Sequence, residues 1–266
     1  MMTRINTAIA GFLLGVLLTL GATATIAATA ETQGEIFPLP PEVAKNLELF
    51  GEGVIGKPVP APPLEDIETM LNIGPGVWQY DIIAGGKDGA KVRTETYTEA
   101  EDYQGNKAWK RDLGEEYVEY IHLNADGSLV KHSEDDNGVS YTTDFEPGVP
   151  IPVNLKPGET QTHEINLHAY KTAKGSDGGY RGKATMNITY VGAYEVTTPA
   201  GTWPAVLVET AFTIHLGPAH VDDTTYIFVA PGVGRIAEIE VTNVSALLIY
   251  HSHTKIAKVL SALPSR

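Results

Sequence analysis

The 266-residue chain contains no cysteine. That excludes disulfides, thiolate metal sites, a cysteine nucleophile and an N-terminal lipidated cysteine. It is also poor in positive charge, with 19 Lys and Arg against 33 Asp and Glu, a net charge of −14. Such a surface repels phosphate backbones and anionic lipid, so nucleic acid is not an expected partner. Between Ile5 and Ala30 there is no charged residue, and beyond that stretch no apolar run is long enough to span a membrane. No long amphipathic helical pattern occurs either, which excludes a doubly wound α/β enzyme. The nucleophile elbow, the paired-histidine zinc helix and the phosphate-binding loop are likewise missing. A serine triad assembled from distant residues requires none of these motifs.

What is present begins with an address. Arg4 precedes the apolar run Ala8–Leu20, and a Gly/Ala/Thr stretch then ends in Ala28-Thr29-Ala30. These are the three regions of a secretory signal peptide, expected to span residues 1–30. The alternative is an uncleaved N-terminal membrane anchor, which the small residues from Gly21 to Ala30 disfavour. The expected location is therefore periplasmic or extracellular, soluble after cleavage.

Residues 31–72 read as a proline-rich linker holding seven of the 17 prolines. Locked φ angles and absent N–H donors keep such a segment extended. One short helix is expected over Pro41–Phe50, with proline in its first turn and Gly51 ending it, and a second over Pro63–Leu71. Gly51-Glu-Gly53-Val-Ile-Gly56 spells the dinucleotide fingerprint. Pro58 and Pro60 forbid the helix that a pyrophosphate would need, and no cofactor is expected.

From residue 73 onward the chain reads as a single β domain of around ten strands. Trp78, Tyr80 and Ile82 alternate with Gln79 and Asp81. Glu115–Leu123 meets the turn Asn124-Ala-Asp126-Gly127, and Ile165, Leu167 and Ala169 share a face. The clearest pair flanks Thr198-Pro199-Ala200-Gly201-Thr202. On its first strand Ala184, Met186, Ile188, Tyr190 and Tyr194 are expected on one face. On its second, Val206, Val208, Phe212, Ile214 and Leu216 line the matching face. Strands this long must twist and coil. The expected fold class is mainly β, a twisted antiparallel sheet closing as a barrel or half-barrel. An outer-membrane barrel is disfavoured by irregular strand lengths and by the proline linker.

Three segments carry a resemblance. Gly192-Ala-Tyr-Glu195-Val-Thr-Thr-Pro199-Ala200-Gly201-Thr202-Trp203 resembles the "PAGTF" segment of a broad group of exported, uncharacterised bacterial β proteins. Tyr226-Ile-Phe-Val-Ala230-Pro231-Gly232-Val233-Gly234 is similar to their "APGVG" segment, and Leu155-Lys-Pro157-Gly158-Glu159-Thr160 to the stretch before their central hairpin. Trp203 replaces the usual Phe, and Arg235-Ile236-Ala237 replaces Leu-Val-Lys. The matched positions Pro199, Gly201, Pro231, Gly232 and Gly234 are turn residues, so the resemblance implies a fold and no catalytic residue. The implied fold is a curved sheet similar to periplasmic lipoprotein-carrier half-barrels.

Candidate chemistry is sparse. Glu209 shares its strand face with Ala205, Leu207 and Ala211, the one carboxylate evidently set among apolar neighbours. Glu134-Asp135-Asp136-Asn137-Gly138 collects oxygen ligands without a closing Glu and reads as a solvated hairpin turn rather than a calcium loop. His251 and His253 project from one strand face with Leu247 and Ile249, and His215 is the one attractive third ligand. A metal there is not expected; they read as rim histidines.

The functional expectation is a non-enzymatic envelope protein holding an apolar or lipid-like ligand on a curved sheet. Met186, Ile188, Tyr190, Tyr194, Val206, Val208, Phe212 and Ile214 are its candidate contacts. An apolar cavity above about 300 Å³ would favour that reading. A filled sheet with an exposed apolar patch would favour an envelope protein–protein interaction module. A hydrolase with a dispersed site is the third alternative. N-terminal sequencing of the exported protein is expected to begin at Glu31; a mature chain that retains Met1 refutes the cleavable signal.

Overall fold

A computed structural model describes residues 35–64, 70–86, 89–114, 117–152, 154–246 and 250–265. The expected signal peptide lies outside the described residues. A short helix α1, Pro41–Leu47, continues as a 3₁₀ turn, Glu48–Phe50, and is followed by β1, Ile55–Val59. Twelve strands then run in order: β2 Gly76–Ala84, β3 Val92–Tyr103, β4 Asn106–Asp112, β5 Tyr117–Leu123, β6 Leu129–Asp136, β7 Tyr141–Pro150, β8 Thr160–Lys171, β9 Tyr180–Thr198, β10 Gly201–Leu216, β11 Ala219–Ala230, β12 Gly234–Ala246 and β13 Tyr250–Ser265. Each pairs antiparallel with its neighbour in sequence, and β13 returns to pair with β2. The sheet is therefore a closed antiparallel barrel of twelve strands, not a half-barrel. The closing strand β13 carries the sheet to Ser265, one residue short of the last.

Alternation decides the two faces. Register carries Met186 opposite Phe212, Phe212 opposite Asp223, and Asp223 opposite Thr242, all pointing inward. Outward positions on β8 and β9 form a polar ladder in which Thr160 bonds Thr189, Thr162 donates to Asn187, and Thr185 donates to Glu164. A lipid-facing barrel would carry an apolar band there.

One outer region is apolar, and α1 covers it. Val43, Leu47 and Phe50 recur at helical spacing and bury against Leu207, Tyr226, Phe228 and Ile239. Pro41 occupies the first turn, and Gly51, at φ 81°, ends the 3₁₀ turn as expected. Asn46 Nδ2 donates to the Tyr226 hydroxyl at 2.8 Å.

The proline-rich segment is extended, yet it is held by packing rather than free. β1 pairs with the far half of β9, which β8 has left. The chain then turns across one barrel mouth, where Tyr190 donates to the Pro62 carbonyl at 2.6 Å and Asn154 N–H to that of Leu64 at 2.8 Å. Gly51–Gly56 leads into strand β1, so no helix meets its amides. Of the second expected helix, Met70 and Leu71 are helical and residues 65–69 lie outside the described residues.

The face assignment on β9 differs from the expected one. A bulge at Val191 leaves Tyr190 opposite Val208 but Gly192 opposite Leu207. Every side chain beyond it changes sides, because the side-chain period of a strand is two. Tyr194 accordingly packs with Phe228 on the outer face beneath α1, while Ala193 and Val206 stay inside. Gly192 marks the bulge: a Cβ there would stand 3.0 Å from Phe37 Cβ.

At the β9–β10 turn, Gly201 has φ 151°, and a Cβ would meet the Trp203 ring at 2.8 Å. Gly201→Val is expected to cost more than about 1 kcal/mol, because a β-branched residue resists that backbone region. Urea unfolding measures it; an unchanged midpoint would mean that the turn tolerates a side chain.

Candidate functional site

The barrel interior has two chemically distinct walls. β8 to β11 supply an apolar one, with Ile165, Leu167, Met186, Ile188, Val208 and Val229 packed together. The wall from β12 through β13 and β2 to β6 is charged, and its charges alternate in sign along a continuous chain. Arg235 Nη1 donates to Glu238 at 2.5 Å. Glu238 also contacts Lys258 at 3.0 Å. Lys258 passes over the Tyr80 ring of β2 to reach Glu95 of β3 at 2.5 Å. Glu95 accepts from Arg111 Nε and Nη2 at 3.0 and 2.7 Å. Arg111 Nη1 donates to Glu119 at 2.6 Å, and Lys131 stands between Glu119 and Glu134 at 3.4 and 2.6 Å. Eight side chains from six strands are thus linked cation to anion.

Burial shapes their protonation. It alone would raise the carboxyls, but Arg111 and Lys258 hold Glu95 well below the usual carboxylate range. Glu119, beside Arg111 and Lys131, and Glu238, beside Lys258 and Arg235, lie at about 2. Glu240 is the contrary case. It lies two residues past Glu238 with no cation bonded to it among the described residues, and burial, Asp223 and Glu238 raise it to about 7. Thr242 donates to both Asp223, at 2.6 Å, and Glu240, at 3.2 Å.

Where the two walls meet there is a cavity of about 170 Å³. Met186, Val208, Phe212, Ile227 and Val229 form its apolar side; Arg111, Glu119, Lys131 and Arg235 form its charged side. Leu64, Leu71, Ile73 and Ile151 close it near the barrel mouth. It is smaller than the roughly 300 Å³ expected above of an apolar-ligand site, and one of its walls is charged, so that expectation is not met.

Of the expected contacts, Met186, Val208 and Phe212 line this cavity. Ile188, Tyr190 and Val206 point inward but are consumed in the packed wall, as is the partly buried Ile214. Tyr194 faces away. Glu209 is not the buried carboxylate of interest. It sits half-buried on the outer face opposite Tyr226, its pKa raised by burial and by Glu42. The most deeply buried carboxylates among the described residues are Glu95 and Glu238, which sequence reading missed. A usable signal was Lys258, set in the apolar run Ile256-Ala257-Lys258-Val259-Leu260.

The remaining candidates are surface features. The acidic turn after β6 caps itself, Asp136 accepting from the N–H groups of Gly138 and Val139. His251 and His253 lie opposite Ser245 and Asn243, and His253 bonds Asn243 at 2.6 Å; Leu247 and Ile249 lie outside the described residues. His215 is not with them but pairs with His220, Nδ1 to Nδ1, at 3.3 Å. Among the described residues no three His, Asp or Glu side chains are grouped to hold a metal. His220 Nε2 is bonded to Asp222 at 2.9 Å. Both its ring nitrogens are thus engaged, and neither serves Ser245 across the strand.

No family model matches the sequence, and no curated protein does. Two solved structures resemble the fold, both with a TM-score of 0.37. One is a lipoprotein candidate from Parabacteroides distasonis, 16% identical, with 71% of this chain and 94% of that one covered. The other is an exported-protein candidate with YmcC-like fold from Bacteroides fragilis, 13% identical, with 77% and 98% covered. Among the described residues no helix is long and apolar enough to cross a membrane.

Glu240 generates a pH prediction. Below its ordinary value of 4.5 it is protonated folded or unfolded, and above about 7 it is ionised in both. Between the two, only the unfolded chain releases the proton, so stability falls as pH rises through that window. Glu240→Gln is expected to equal the wild type near pH 4.5 and to exceed it by on the order of 2 kcal/mol at pH 8. Urea unfolding at both pH values checks this; equal stability at pH 8 would refute the buried, uncompensated carboxyl.

Proposed function

We propose that the protein is an exported, non-enzymatic envelope protein whose barrel encloses a small apolar ligand. The observation that carries the reading is the cavity itself, with one apolar wall and one charged wall inside a barrel whose outer positions on β8 and β9 are polar and whose apolar outer region is covered by α1. Export rests on the signal-peptide pattern of residues 1–30. The cavity's size directs the reading toward a short or medium chain rather than a diacyl lipid. At 10–15 Å³ for each water-sized group, 170 Å³ takes on the order of ten non-hydrogen atoms.

The geometry favours this over an interaction module. The apolar outer region is already covered by α1. Of the large exposed side chains, Ile36, Tyr117, Val139, Tyr180 and Leu263 lie on different connections and strands, leaving Ile83 and Val92 on the paired β2 and β3 as one small neighbouring pair. Single exposed hydrophobics are ordinary and make no docking patch.

Native mass spectrometry of the purified protein is expected to show a non-covalent adduct that solvent extraction removes. Val208→Trp, which fills the cavity, is expected to abolish the adduct while the β-sheet circular dichroism persists. A wild-type protein that carries no adduct and takes up no added 1-octanol would sink the proposal.

A further inference from the structure

The two arginines of the cavity differ in one respect. A guanidinium presents two parallel N–H bonds along its Nε–Nη2 edge, the fork that grips a carboxylate with two hydrogen bonds. Arg111 uses this edge on Glu95 and spends Nη1 on Glu119, so all three of its nitrogens are engaged. Arg235 spends Nη1 on Glu238 in the same way, but its fork is vacant. Its Nε is buried without any hydrogen-bond partner. Nη2 makes no hydrogen bond among the described residues, although the side chain lines the cavity.

An orphaned guanidinium N–H in a closed interior costs free energy unless something accepts from it. Among the described residues nothing does. Glu238, its single anion, is shared with Lys258. Glu119, the carboxylate on the cavity wall, has both oxygens occupied, by Arg111 and Lys131. The ion chain therefore ends at Arg235, a cavity-lining side chain whose buried Nε has no partner. Val229 lies directly across the strand from it, and Ile227, Val208 and Phe212 continue the apolar surface.

We propose that the Nε–Nη2 edge of Arg235 is a head-group site, and that the ligand is a medium-chain amphiphile ending in a carboxylate. The carboxylate accepts both N–H bonds as Glu95 does on Arg111, and the alkyl tail lies against Met186, Val208 and Phe212. This rests on the cavity reading above and adds the ligand's chemical class. Its length follows from the volume, about eight carbons.

Isothermal titration of the whole protein with sodium octanoate, 1-octanol and octyltrimethylammonium near neutral pH separates the possibilities. Octanoate is expected to bind about tenfold or more tightly than octanol, the cation not at all. In Arg235→Gln the octanoate preference is expected to vanish with octanol binding kept. In Arg235→Lys, which retains the charge but loses the fork, it falls severalfold. Equal binding of octanoate and octanol by the wild type overturns the head-group site and leaves the apolar cavity standing. Binding of neither overturns both. Should Arg235→Gln fail to fold, Arg235→Lys decides, and an undiminished octanoate preference in it refutes the fork.

Discussion

The alternating ion chain from Arg235 to Glu134 is the constraint on which the barrel depends. A barrel of about eight strands is just filled by its inward side chains, and one of twelve is wider. Two apolar walls of Val and Ile would leave its middle empty. Arg, Lys and Glu are long enough to reach inward, and here they fill one half of the lumen while satisfying one another. Buried charges gain little net free energy over apolar packing, but leaving any one unpaired costs several kcal/mol. Each link joins different strands, except within β6 and β12. A one-residue slip of any strand would therefore turn its charge outward and strand the partner in the interior. With no disulfide to fix the sheet, this mutual dependence sets the register of β12, β13 and β3 to β6. Lys258 has the central place, 1% exposed and spanning β2 to hold Glu238 and Glu95 together.

The other half obeys the opposite rule. β9, β10 and β11 bury both faces, the inner against β8 and the barrel mouth, the outer against α1. Strands buried on both sides lose the alternation that marks a half-exposed strand, and the run Ala205-Val206-Leu207-Val208 shows it. The N-terminal segment is what makes this affordable. Its helix covers the outside of the three strands, its strand β1 continues the pairing of β9, and its prolines cross the mouth. A proline carries no N–H to leave orphaned, so such a segment can lie against an apolar opening at little cost.

Legibility followed from how locally each feature was determined. Hairpin turns are local, and Gly201, Gly232 and Gly51 stand where turn chemistry requires. The helix at Pro41–Phe50 was legible for the same reason, since its first-turn proline and closing glycine are sequence neighbours. Closure was not, because pairing β13 with β2 depends on residues about 180 positions apart. The bulge at Val191 was half legible. Gly192 interrupts an apolar strand, a recognised mark of a bulge, but which side of it keeps the inward face is fixed by β10 alone. The buried charges were least legible. Arg93-Thr-Glu95-Thr-Tyr97 and Lys110-Arg111-Asp112 look like solvated strand faces, and only partners on other strands reveal them as interior. Of the cavity, Met186, Val208 and Phe212 were within reach of a periodicity argument. Arg235 was not, its strand position being set by the irregular register between Phe228 and Val229.

The join between the two halves is where the structure has something left over. Along the ion chain every carboxylate has its cation, and along the apolar wall the side chains pack together. Neither rule can be obeyed at the boundary, where a side chain would have to be hydrophobic on one side and ionic on the other. Protein side chains leave that position incompletely filled, which is why the void and the unbonded guanidinium edge coincide there. A molecule with an alkyl body and an acidic end meets both requirements at once. The ordered charges around it also set its orientation, because Arg111 and Lys131 are already neutralised by Glu95, Glu119 and Glu134. Arg235 is the cavity arginine whose Nε–Nη2 edge bonds no carboxylate among the described residues, so the proposed acid lies toward β12 and the tail toward β9 and β10.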